Sequence, residues 1–123
     1  MTLSERILSI GLIFALAIGV AQAADPPDAA MIAASQAIGA AARLEPRGPA
    51  ADLLAQARER YGLASDAVGR RKYKDALRLA DEARAIADQA AARARLIAAR
   101  AEVEEKSARN ADLRRQLQMG SQR

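Results

Sequence analysis

The stretch YKDALRLADEARAIADQAAARARLIAARA, residues 73–101, decides the fold. Within it Tyr73, Ala76, Ala80, Ala83, Ala87, Ala90, Ala94, Ile97 and Ala101 step by three and four without a miss. That step is a heptad seam, the pattern that sets one face of an α-helix against a neighbouring helix. Neither Gly nor Pro occurs between Lys72 and Gln118, so the spacing predicts a single helix over 72–118. At 1.5 Å per residue it would be about 70 Å long. Most of the seam is alanine, so a facing helix can approach at the close end of the usual ~8–10 Å range. Leu77, Leu79 and Ile86 are expected to widen the seam.

Upstream of this stretch, Pro and Gly punctuate the chain. Gly69 sits in a basic turn with Arg70, Arg71 and Lys72. Before it, Leu54, Ala57, Tyr61, Ala64 and Val68 repeat the step of three and four, predicting a helix over 49–68. Pro49 suits the first helical position, with Gly48 ahead of it. Pro46-Arg47-Gly48-Pro49 separates this helix from an earlier one over 28–44, for which Asp28 is the expected N-cap. A short tail, 119–123, follows the third helix. The fold class is therefore all-α with three helices.

Two packings satisfy the pattern. In the favoured one, helices 1 and 2 form a broken first arm lying antiparallel to helix 3. The result is a long Ala-rich helical hairpin, in which Ile38 and Leu44 fall near Leu96, Ile97 and Val103. In the alternative, helix 1 folds back beside helix 2 as a compact three-helix bundle, and helix 3 projects beyond it. On the solvent face, i,i+4 pairs are expected for Arg78–Glu82, Arg84–Asp88, Arg100–Glu104, Glu102–Lys106 and Glu105–Arg109.

The N-terminal region carries an address. Residues 7–20 (ILSIGLIFALAIGV) form a charge-free run, the length of a signal-peptide core rather than the ~20 residues of a membrane span. Ala21-Gln22-Ala23 follows as an A-x-A cleavage site, which predicts a signal peptide over 1–23 and a helical domain over 24–118 in the periplasm. The alternative is an uncleaved signal anchor, in which case the membrane is met through that segment alone.

Composition narrows the chemistry. The 123 residues hold 19 Lys and Arg against 15 Asp and Glu, a net charge of +4, and no Cys, His or Trp. With about a quarter of the residues alanine and few aromatics, no core of large interlocking side chains is expected. There is no imidazole base, thiolate or disulfide, and the usual zinc and haem ligands are missing. No catalytic residue, cofactor or metal site is expected. Glu102, Glu104 and Glu105 cluster, but among Lys106 and Arg109 on a solvated face they lack the pocket that acid–base catalysis requires.

One run resembles a known family. Ala57, then residues 61–64, then Gly69-Arg70-Arg71-Lys72-Tyr73-Lys74-Asp75-Ala76-Leu77-Arg78-Leu79-Ala80-Asp81-Glu82-Ala83, continuing into Ala87, Ala90 and Ala94, resembles the bacterial envelope domain of unknown function numbered 4398. The resemblance covers nearly all of residues 29–100 and implies an exported, Ala-rich helical hairpin. It transfers no catalytic residue. Many members look like lipoproteins or carry a peptidoglycan-binding domain; this sequence shows no lipid-accepting Cys, so a direct cell-wall role does not carry over. Tyr73, Ala76, Ala80 and Ala83 also resemble one helix of a tetratricopeptide repeat, but a single unit makes no array.

Two surfaces are candidates for partner binding. Leu96, Ile97, Val103, Leu113 and Leu117 are apolar residues whose partners within the chain are least assured, and they point to self-association or to docking on another envelope protein. Arg70, Arg71, Lys72 and Lys74 at the turn, with Arg114 and Arg115 near the C-terminus, are candidate contacts for anionic envelope polymers or lipid headgroups. Nucleic acid is not an expected partner, because no aromatic platform exists for stacking bases. The expectation is an exported, non-enzymatic interaction or scaffold protein.

Overall fold

A computed structural model describes residues 25–122; the signal peptide expected over 1–23 lies outside the described residues. The chain forms α1 (Asp28–Ala42), α2 (Pro49–Gly69) and α3 (Tyr73–Gly120), with no strand among the described residues. The class is all-α with three helices, and α3, at 48 residues, is the long one.

Local chemistry explains the boundaries. Asp28 is the first helical residue rather than the N-cap, and Pro27 precedes it, its carbonyl accepting from the Met31 N–H at 2.9 Å. Helix α1 stops at Ala42, short of the expected Leu44, because Glu45 adopts a left-handed φ of 47°. The Leu44 and Glu45 N–H groups donate to the Ala41 and Ala42 carbonyls, which tightens the last turn. Gly48, at φ 55° and ψ −132°, reaches a region closed to side-chain-bearing residues and sets up Pro49 as the first residue of α2.

The α2–α3 turn is a Schellman motif: the Lys72 N–H donates to the Ala67 carbonyl and the Arg71 N–H to that of Val68, both at 2.9 Å. The left-handed residue is Arg71, at φ 57°; Gly69, expected to make the turn, is the last residue of α2. At the other end α3 runs on through Met119 and Gly120, into the expected tail.

Helix α1 folds back, so the packing is the compact bundle, which corrects the extended hairpin with a broken arm. Ala34 shares one buried cluster with Ala64, Ala80 and Ala83, flanked by Met31, Tyr61 and Leu79. Ala41 shares a second with Leu54, Ala90 and Ala91, flanked by Ile38 and Leu53. As residue numbers rise along α1 they rise along α3 and fall along α2. Hence α1 runs parallel to α3 and antiparallel to α2. The physical reason is coverage: one neighbour shields only part of an alanine stripe, whereas two close the groove over it and remove more apolar surface from water.

The buried residues of α3 are Ala76, Ala80, Ala83, Ala87, Ala90, Ala91 and Ala94. The predicted seam holds through Ala94 and then ends, leaving Ile97 and Ala101 exposed. Leu79 and Ile86 are half-buried as seam wideners, whereas Leu77 is exposed. Leu54 is the one large side chain in the core among the described residues. An alanine core contributes little area per residue, so stability leans on the high helix propensity of alanine itself.

Candidate interaction surface

Helix α3 leaves the bundle after Ala94. From 95 to 122 every residue is exposed, while the helix continues without a break to Gly120. This distal half is a free helix about 39 Å long. It is held by propensity and by short-range ion pairs: Lys106 with Glu102 at 2.6 Å, Arg109 with Glu105, and Arg115 with Asp112. Nearer the bundle, Arg78–Glu82 and Arg84–Asp88 form as expected, and Arg60 of α2 also reaches Glu82. The expected Arg100–Glu104 pair is not formed.

The five predicted contact residues do not share one face. Counting about 100° per residue from Ala94, which marks the bundle side, Leu96, Val103, Leu113 and Leu117 fall roughly 100–200° away, on the side opposite α1 and α2. Val103 and Leu117 are 66% and 74% exposed, with no intrachain cover. Ile97 falls on the bundle side instead. It lines an open groove with Leu44, Pro46, Ala94, Ala98 and Ala101. Leu44 thus does lie by Ile97, as expected of the hairpin, but through the α1–α2 loop; Ile38 packs lower down, on the Ala41 and Ala90 cluster.

The opposite stripe contains more than Leu96, Val103, Leu113 and Leu117. Leu96, Val103, Asn110 and Leu117 are spaced by seven, and Ala99, Lys106 and Leu113 interleave with them. These are the a and d positions of a second heptad. Its signal was present in the spacing and was masked by polar Lys106 and Asn110.

The basic residues form two separate groups. Arg70, Arg71, Lys72 and Lys74 are exposed at the turn, and none takes part in the ion pairs formed among the described residues. The groove beside them is of mixed sign, with Asp66 and Asp75 facing Arg60, Arg70, Lys72 and Arg78. Arg114 and Arg115 lie about 60 Å further along α3, so the groups are not one site. Arg115 is occupied by Asp112.

Among the described residues no group of three or more carboxylate, Cys or His side chains is gathered as for a metal ion, and no polar or charged side chain is buried. No helix among them is long and apolar enough to cross a membrane. What the distal half of α3 offers chemically is a helix face, apolar along one stripe and charged beside it. No family model matches the chain, and no curated protein or solved structure matches it either.

Proposed function

We propose that this protein is an exported, non-enzymatic interaction module of the bacterial envelope, which docks a helical partner along the distal half of α3. One observation carries the reading: the bundle ends at Ala94, yet α3 continues for 26 further residues, residues 95–120, with Leu96, Val103, Leu113 and Leu117 aligned away from the bundle. A helix of that length with no tertiary cover gains nothing for the bundle. An aligned apolar stripe on it gains stability once a second helix covers it. The signal-peptide pattern over 1–23 and the resemblance to the envelope family support a periplasmic setting for that partner.

The test is photo-crosslinking in the producing cell, with a reactive side chain placed in turn at Val103, Leu113 and Leu117 and at the bundle-side positions Ala101 and Asp112. Crosslinked species from the stripe positions alone support docking through this face. Equal crosslinking from both faces, or none from the stripe, overturns it.

A further inference from the structure

We infer that the occupant of this stripe is a second copy of the same chain, with the distal halves of two α3 helices paired antiparallel, Leu96 against Leu113 of the partner subunit. The inference rests on the docking role proposed above and adds the identity and direction of the partner. The stripe from Leu96 to Leu117 spans about three heptads, the least that sustains a coiled coil. It lies opposite α1 and α2, so a helix laid along it clears the bundle. Two shallow grooves open on that same side, one bounded by Gln89, Ala92, Arg93 and Leu96, the other by Ala99, Arg100 and Val103.

Charge selects the direction. Arg95, Glu102 and Arg109 occupy the g positions beside the stripe, and Arg100, Ser107 and Arg114 the e positions. In a parallel pair g meets e of the following heptad, which sets Arg95 against Arg100 and Arg109 against Arg114 on both sides, and stacks Lys106 on Lys106 in the core. In an antiparallel pair g meets g. With Leu96 opposite Leu113, Glu102 of each chain meets Arg109 of the other, twice by symmetry. Arg95 meets Gln116, and Arg100 meets Ser107. Lys106 then faces Val103 across the core, and its ammonium keeps its own Glu102 at 2.6 Å. The one like-charged crossing, Arg93 with Arg114, falls at the two ends.

Sliding the antiparallel pair by a heptad loses this match either way. One shift sets Arg109 on Arg109, and the other sets Glu102 on Glu102 and Arg95 on Arg109. Asn110, which a parallel pair would set against Asn110, faces the Ala99 methyl in the matched register and costs affinity there. The dimer is therefore concentration-dependent and weakened by salt.

The chain contains no cysteine, so single cysteines report the register cleanly. Full-length Leu96→Cys and Leu113→Cys proteins, mixed under mild oxidation, should give the mixed disulfide. Leu96→Cys alone should not crosslink, because the two positions lie about 26 Å apart along the axis. A Leu96→Cys homodisulfide without the mixed product would show parallel pairing and overturn the proposal. Sedimentation of the unmodified chain should show a dimer that Glu102→Arg weakens at least fivefold and the swap Glu102→Arg with Arg109→Glu restores. A monomer at high concentration, with neither disulfide, overturns self-pairing. Stripe-specific photo-crosslinks to a different protein would then leave the docking role standing, so the two failures are distinguishable. Association through residues 7–20 would not reproduce the pattern, because it imposes no Leu96-to-Leu113 register.

Discussion

Ala41 of α1 and Ala90 of α3 are both fully buried in one cluster, which Leu54 of α2 also joins. This contact separates the bundle from the extended hairpin. In the hairpin Ala41 would lie far along α3, beyond the last buried alanine. Its burial against Ala90 means that α1 and α2 together close the alanine face of α3.

Deleting residues 25–44 should therefore melt the domain rather than merely uncover the distal half of α3. Ala64, Ala80, Ala83, Ala90 and Ala91 would each lose their α1 neighbours. Hydrogen exchange on the truncated chain should show protection lost across 76–90. Protection retained there would contradict the packing.

The alanine seam should reject larger side chains. Ala80→Leu, at a fully buried position, should destabilise by ~1–3 kcal/mol through overpacking, although leucine is nearly as good a helix former. Ala34→Leu should behave likewise, since Ala34 closes the same cluster. Arg84→Leu on the solvent face is the control and should shift the melting temperature little. Equal melting temperatures for all three would show that the seam is not tightly packed.

Two glycines should respond with opposite signs. Gly48 holds a backbone conformation that alanine avoids, with open space where a Cβ would go, so Gly48→Ala should cost ~1–3 kcal/mol through backbone strain alone. Gly62 lies exposed within α2, with open space where a Cβ would go, and Gly62→Ala should stabilise by ~1 kcal/mol. Urea unfolding of the pair checks both signs in one experiment.

Arg71 occupies the Schellman position that glycine prefers. Arg71→Gly should stabilise the bundle by ~0.5–1 kcal/mol by relieving the left-handed strain, as judged by urea midpoints. Gly69→Ala should stabilise too, because Gly69 is helical and open, not the turn residue. A loss of stability in Gly69→Ala would return the turn to Gly69.

The two halves of α3 should melt apart in dilute solution. Residues 95–120 have only propensity and exposed ion pairs to hold them, whereas 76–94 lie under two helices. Amide exchange should be fast in the former and slow in the latter, and raising protein concentration should slow the former if the stripe becomes covered. Uniform exchange along α3 would contradict the division at Ala94.

The sequence alone determined that there are three helices, nearly where each begins and ends, and which alanines of α3 face inward. These are local properties. Proline and glycine break helices wherever they stand, and a step of three and four marks one side of a helix whatever packs on it. The tertiary structure decided where α1 goes, which residue makes the α2–α3 turn, and where the seam stops. Alanine is the reason for the first: its methyl group fits against almost any helix, so Ala34 and Ala41 satisfy either packing by pattern, and only the summed burial of three helices around Ala80 and Ala90 separates them. The turn closes two residues past Gly69, with Arg71 left-handed and the Arg71 and Lys72 N–H groups on the Val68 and Ala67 carbonyls, a choice between neighbouring residues that no local pattern specifies. The seam stops at Ala94 because the α1–α2 loop turns back there. Beyond it the same helix presents its other side, with Leu96, Val103 and Leu117, to whatever lies outside the chain.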